Sequence, residues 1–348
     1  MTARSAIRAG ALIVLLAAAA SLWHQRYRET LPPRDIEALL ATEDIPGAVL
    51  AVRDASGAER AMAYGRSAAP GTTLDASTRF PIASLSKPVT ASAVRRLIAH
   101  GALGPDDAAS AWLPVLSQQG EDPRMARITV RHLLQHTSGL GDASDPLFDG
   151  EQVRGCDRAI ETVLQRRLDS PPGTVMRYSN VGYCMLGSLI ERVTAQDYAT
   201  AVAELLDLPD TTALTLGPPS GLSHQGHGLA AGDWQLLGAA GGWFGDAGTL
   251  AAIFSTDAQD SSIPAMPVEG HQTPSYYGLG WRVWPTATGD RLTHFGILPG
   301  MFSLAVSFPD GCSAVILMNG RPRSQETFAD SLAVFLEREL PHPHGNAK

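Results

Sequence analysis

Apolar and polar residues alternate at both ends of the chain and follow helical spacing in the middle. From Gly47 the segment "GAVLAVRD" reads as a strand, and "ERAMAYGR" at 59–66 reads as its hairpin partner across the turn "ASGA". After Ser84 the pattern changes. The stretch "VTASAVRRLIAHGAL" predicts a helix that ends at Gly101, a residue suited to a helix C-terminus. "TVRHLLQHTSGL", "CDRAIETVLQRRL" and "NVGYCMLGSLIERVTA" predict further helices, joined by loops rich in Gly, Pro, Asp and Ser. Near residue 276 the strand signal returns in four runs, "YYGLGWRVW", "RLTHFG", "MFSLAVSF" and "CSAVILMN", split by turn residues such as "PDG" at 309–311. "SQETFADSLAVFLEREL" closes the chain as a helix with Ser324 and Glu326 at its start. Strands at both ends with helices between predict an α+β fold. The expectation is an antiparallel sheet built from both chain ends with flanking helices, plus an inserted, mostly helical lobe, all in one domain with a cleft between the lobes.

The N-terminal pattern is different. Arg4 and Arg8 precede an apolar run from Ala9 to Trp23 that ends in small residues, the form of a secretory signal. Ala18-Ala19-Ala20 suits a cleavage site. A helix of this length spans roughly 22 Å, less than the roughly 30 Å hydrocarbon core, although Arg26 and Arg28 can snorkel and retain an anchor. Residues 1–30 are therefore expected to be a signal peptide or an N-terminal membrane anchor. "RETLPPRD" at 28–35 reads as a linker, and residues 31–345 as the folded domain. That domain is expected to be exported, either periplasmic or anchored with the domain outside the cytoplasm, touching membrane only through the N-terminal segment.

Composition narrows the function. Hydrophobic residues make up 44% of the 348, enough for a sizeable core, and the net charge is -8 with no basic block. Nucleic acid is excluded as a partner, since no cationic face is available to neutralise phosphates. Of the 27 basic residues only Lys87 and Lys348 are lysines. Arginine is effectively always charged, whereas a desolvated lysine can lose its proton and act as a base. Cys156, Cys184 and Cys312 are too few for a disulfide framework. One bridge is compatible with an oxidising compartment, with Cys156 and Cys184 the pair favoured by proximity; buried, inert thiols are the alternative.

Three short constellations carry candidate chemistry. In "RFPIASLSKPVTA" a helix starting near Ser84 places Ser84 and Lys87 on one face, giving a weak nucleophile its base. In "PPGTVMRYSNVGYCMLGSLIE" Tyr178-Ser179-Asn180 sits where a loop enters a helix. A phenol can shuttle a proton and an amide can hold a substrate carbonyl; a plain helix cap is the competing reading. Thr293-His294-Phe295-Gly296 lies on a predicted strand, where glycine admits a ligand to the backbone. His132 and His136, four apart, have neither an intervening glutamate nor an evident third ligand, so they are read as structural and no metal is expected. His224 and His227 fall in a glycine-rich loop and are read as solvent-exposed, while Trp234, Trp243, Trp281 and Trp284 are divided between cleft and core.

In this order and spacing the three constellations resemble the serine β-lactamase and penicillin-binding-protein-like family, especially its class C, D,D-carboxypeptidase and esterase branch. "ITVRHLLQHTSGL", "GAAGGWF" and "YGLGW" are similar too, and the resemblance covers about residues 45 to 320. It implies a serine hydrolase acting through an acyl-enzyme on a small ester, amide or peptide substrate, with no cofactor. It makes Ser84 the nucleophile, with Lys87 and Tyr178 sharing the proton work. Asn180 binds the acyl amide, His294 positions Tyr178 or an anionic group, and Gly296 with Ile297 lines the site. The N–H groups of Ser84 and Ile297 form the oxyanion hole. Phe295 stands where relatives often carry a hydroxyl that grips a carboxylate, and His294 replaces a lysine. Both changes favour a neutral ester or amide unless another group, such as an arginine, supplies the grip. D,D-carboxypeptidase and β-lactamase are the alternatives among enzymes, and a non-catalytic ligand sensor of the same fold is the alternative outside them.

Overall fold

A computed structural model describes residues 36–67, 73–141, 146–149, 152–208, 214–218, 233–264 and 274–339. The N-terminal apolar run, the 28–35 linker, His224 and His227 lie outside the described residues.

The strands are β1 (Gly47–Arg53), β2 (Glu59–Gly65), β3 (Phe80–Pro81), β4 (Phe148–Asp149), β5 (Gln152–Val153) and β6 (Leu214–Leu216). They continue with β7 (Trp243–Gly245), β8 (Tyr276–Tyr277), β9 (Arg282–Thr286), β10 (Gly289–Leu298), β11 (Met301–Ser307) and β12 (Ser313–Met318). Seven of them form one sheet in the order β2-β1-β12-β11-β10-β9-β8. Every pairing in it is antiparallel, and β1 joins β12, so the two chain ends meet in the middle as the alternation predicts. The helical segments between β3 and β7 form the inserted lobe.

Every residue of β11 and β12 is buried, because both faces of these central strands are covered. Phe302, Leu304 and Val306, with Ile316 and Met318, pack under Phe328, Leu332 and Leu336 of the closing helix Gln325–Glu339. The other face carries Met301, Ala305, Val315 and Leu317 into the larger core. Small hydroxyl residues on that face satisfy carbonyls of the elements above it. Ser307 Oγ donates to Phe254 O at 2.9 Å, Ser313 Oγ to Ala251 O at 2.8 Å, and Ser303 Oγ to Ile82 O at 2.8 Å. The last of these ties the sheet to the segment that holds Ser84.

Two expectations change, one for a helix and one for a strand. "TVRHLLQHTSGL" is helical only over Val130–Leu134, capped by Thr129. His136 then turns to a left-handed φ of 59°, and the carbonyls of 136, 137 and 139 accept from Arg177, Gly173 and Asp169 instead of continuing a helix. "YYGLGWRVW" is two strands, not one: Gly280 at φ 95° makes the bend between β8 and β9, and its missing Cβ leaves room for Ala91. Trp234, Trp243 and Trp281 are core residues, while Trp284 is half-buried and donates to Thr293 Oγ1 at 2.8 Å. Cys156 and Cys184 form a disulfide that joins the helices Cys156–Leu164 and Asn180–Thr194.

Candidate active site

Ser84 sits in a 3-10 turn, Ala83–Leu85, that feeds the helix Ser86–Ala99; the regular helix begins two residues later than the sequence suggests. Ala83 adopts φ 49°, a left-handed conformation costly for a residue with a Cβ, of order 1–2 kcal/mol. Neighbouring strands hold the strained turn in place. Ile82 N donates to Trp243 O of β7 at 3.0 Å, and Ile82 O accepts from both Leu85 N at 3.1 Å and Ser303 Oγ at 2.8 Å.

Lys87 is fully buried, an unusual fate for a lysine. Its Nζ donates to Ala240 O at 2.7 Å and to Ser84 Oγ at 3.2 Å, and it lies 4.8 Å from the ring centre of Tyr178 and 5.7 Å from that of Tyr183. The ring faces favour the ammonium form, while desolvation favours the neutral amine. The candidate nucleophile and its candidate base are therefore already in contact.

Tyr178 ends the loop before the helix Asn180–Thr194, and Ser179 caps that helix by accepting from Gly182 N at 3.2 Å. Asn180 lines, with Ser84, Phe148 and Leu237, a cavity of about 60 Å³ on one side of the nucleophile. On the other side lies a larger cleft of about 400 Å³, bounded by Tyr178, Tyr277, His294, Phe295, Ile297 and Arg282 among others. Ser84 and Ile297 border both spaces, which are of unequal size.

On β10, Gly296 is required by its neighbours. A Cβ there would stand 2.5 Å from Ile82 O, 2.5 Å from Ser303 Oγ and 2.8 Å from Ser84 N. Only glycine lets the strand approach the serine's own N–H, and Ile297 follows it directly. His294 Nδ1 faces Phe295 O at 3.0 Å and, since a carbonyl only accepts, carries the proton; Nε2 then accepts from Tyr277 OH at 2.8 Å. Burial, assisted by the charge of Lys87, pushes His294 down to about 3. His136 is held well below the ordinary histidine value by burial, then by Lys87 and His294. Burial raises the Tyr277 phenol well above its usual value. The imidazoles of His136 and His294 and the phenol of Tyr277 are thereby held in their uncharged forms.

Lys87, Tyr178, Asn180, His294, Gly296 and Ile297 all lie around Ser84. Three neighbours were not anticipated. Tyr277, from "YYGLGWRVW", donates to His294 Nε2 at 2.8 Å. His136 packs against Tyr178, the rings tilted by 36° with centres 4.3 Å apart, whereas His132 stays at its helix, its Nδ1 accepting from Thr129 N at 3.2 Å. Arg282 faces the cleft from β9, in register with Thr293, with Nη1 3.9 Å from Asp330 and 4.0 Å from Glu326.

A sheet closed by both chain ends, an inserted helical lobe and a Ser-x-x-Lys turn between them define the active-site-serine class of acyl-transfer proteins. Within it the chain belongs to the beta-lactamase family, whose model, described as "Beta-lactamase", matches residues 33–338. Esterase EstB of Burkholderia gladioli is 34% identical over 153 residues, 40% of this chain and 38% of that protein. Penicillin-binding protein 4* of Bacillus subtilis (strain 168) is 33% identical over 141 residues, 39% of this chain and 30% of that protein. The chain thus spans well under half the length of the curated relatives it matches. Among solved structures, the D-amino acid amidase from Ochrobactrum anthropi SV3 superimposes with a TM-score of 0.69 at 19% identity, covering 87% of this chain and 100% of that one. The D-stereospecific amidohydrolase from Streptomyces sp. gives 0.67 at 23%, covering 85% and 95%. At these identities the structural likeness concerns the fold.

Proposed function

We propose that the protein is an exported serine hydrolase that cleaves a neutral ester or amide through an acyl-enzyme on Ser84. The reading rests above all on the contact between the fully buried Lys87 Nζ and Ser84 Oγ at 3.2 Å. In the neutral amine form, Lys87 takes the Ser84 proton as Oγ bonds to the substrate carbonyl carbon. The oxygen that becomes negative accepts from the N–H groups of Ser84 and Ile297, which Gly296 allows to converge. Collapse of that intermediate breaks the bond to the leaving group, which receives a proton through Tyr178. Water, giving its proton back through Tyr178, then cleaves the acyl-serine and restores the serine hydroxyl. Asn180 stands where it can hold the acyl portion in the smaller cavity.

The electrostatics favour an uncharged substrate. His294, neutral down to about 3, brings no permanent charge where a lysine would, and Phe295 brings no hydroxyl. Arg282 is the cation of the cleft wall, and Asp330 and Glu326 stand close enough to offset it. A second reading, a D,D-peptidase binding a peptide carboxylate, rests on that same Arg282. The relatives named as an esterase and a penicillin-binding protein are compatible with these alternatives. The Cys156–Cys184 bridge supports an oxidising compartment outside the cytoplasm, as does the N-terminal apolar run, whether removed or kept as an anchor.

The test is intact mass after separate incubation with a fluorophosphonate and a penicillin, beside Ser84→Ala. Phosphonate addition lost in the variant supports the serine hydrolase. Stable penicillin addition as well would move the substrate toward the peptidase reading. No adduct with either would leave a non-catalytic sensor of the same fold.

A further inference from the structure

His136 holds three consecutive residues of the catalytic loop at once. Its carbonyl oxygen accepts from Arg177 N at 2.8 Å, its ring packs against that of Tyr178, tilted by 36° with centres 4.3 Å apart, and its Nδ1 accepts from Ser179 N at 3.0 Å. The left-handed φ of 59° allows this, because it turns carbonyl and side chain toward the same segment. The ring also meets Tyr277 at 4.5 Å and Tyr183 at 5.1 Å, and the residue is 1% exposed. Helix capping at Ser179 does not require this arrangement, since Ser179 Oγ performs it alone.

We propose that His136 is the positioning residue for Tyr178, clamping residues 177–179 so that the phenol is aligned to hand a proton to the leaving group. The proposal rests on the assignment of Tyr178 as that proton donor. Because Nδ1 accepts from a backbone N–H, the ring is the neutral Nε2–H tautomer. Protonation would set Nδ1–H against Ser179 N–H and break the clamp. The groups facing the ring are Lys87, His294, Tyr178, Tyr183 and Tyr277; burial and the positive charge of Lys87 both oppose a second proton on it.

Two substitutions separate the parts of the clamp. Asparagine tolerates left-handed φ and its Oδ1 can replace the Nδ1 acceptor, but it lacks the ring. Phenylalanine keeps a ring and loses the acceptor. A misplaced proton donor matters when the leaving group needs a proton and matters little when it departs as a stable anion. The experiment compares kcat/KM for a p-nitrophenyl ester with that for an alkyl ester or amide of the same acyl group. His136→Phe is expected to lower the alkyl ester or amide value about 100-fold while the p-nitrophenyl value falls less than about fivefold. His136→Asn is expected to fall between wild type and His136→Phe. An equal fall on both substrates, or none on either, overturns the proposal. Should the variants fail to fold, ¹⁵N imidazole spectra of the wild type decide the matter. A neutral Nε2–H ring at position 136 between pH 5 and 8 supports the clamp, and an Nδ1–H or charged ring overturns it. Loss of all turnover and of phosphonate labelling in the wild type would instead remove the acyl-transfer reading and this proposal with it.

Discussion

One helix carries two buried basic side chains of opposite design. Lys87 lies in its first turn and Arg95 two turns later. Arg95 is enclosed by paired charge: Nη2 meets Asp257 at 2.6 Å, Nε meets Asp260 at 3.0 Å, and Nη1 donates to Leu279 O at 3.3 Å. Trp281 Nε1 and Ser92 Oγ donate to the same Asp257 carboxylate at 2.8 Å and 3.3 Å. This cluster stitches the helix to the turn between β8 and β9, and so supports Tyr277 and Arg282 from behind. Around Lys87, by contrast, stand a carbonyl, the nucleophile's hydroxyl and the faces of two tyrosines. A guanidinium matched by carboxylates fixes structure and gives up no proton. An amine among neutral dipoles and rings can change its charge when a substrate arrives. Burial alone does not distinguish the two side chains; the groups around them do.

The same substitution at the two positions should therefore have opposite consequences. Lys87→Met is expected to lower kcat/KM at least about 10³-fold while thermal stability stays level or rises, since a buried polar amine gives way to an apolar chain of similar length. Steady-state kinetics and a melting curve check both halves. Arg95→Met leaves Asp257 buried without its guanidinium, and is expected to cost about 3–5 kcal/mol in denaturant unfolding with kcat retained within a few-fold. Adding Asp257→Leu should recover most of that stability, because the lost free energy belongs to the stranded carboxylate.

A smaller effect concerns pH. Unfolded, the His294 imidazole takes a proton below about pH 6.5; folded, it refuses one until about 3. Stability should therefore fall as pH drops through this window, by about 1.4 kcal/mol between pH 7.5 and 5.5 from this group alone. His136 acts in the same direction. Urea midpoints at the two pH values, compared with those of His294→Gln, measure the contribution; an unchanged slope in the variant would assign the acid sensitivity elsewhere.

Most of the scaffold is readable in the chain. Strands such as Met301–Ser307 and Ser313–Met318 are strongly apolar, and turn residues bound them, so a sheet from both ends follows from pattern alone. Ser84, Lys87, Tyr178 and the 294–297 strand are legible because each lies in a short segment whose spacing is itself chemical. His136 was not, for a tertiary reason. The helix expected through it stops because the 169–177 loop takes the carbonyls of 136, 137 and 139, and no local pattern reports a partner some forty residues away. Tyr277 and Arg282 were hidden likewise, since the bend at Gly278-Leu279-Gly280 decides which of them meets His294 and which meets the cleft mouth. The 3-10 start at Ser84 is another tertiary effect, imposed by Trp243 O and Ser303 Oγ on Ile82.

Trapping the covalent intermediate is the most direct test. Tyr178→Phe should still accept the acyl group from a p-nitrophenyl ester, whose leaving group needs no proton, but should release it slowly. Acid quenching followed by intact mass and peptide mapping is expected to show one acyl group on Ser84, persistent in Tyr178→Phe and absent in Ser84→Ala. An acyl group on another residue, or turnover that survives Ser84→Ala, would contradict the assignment of Ser84 as the nucleophile.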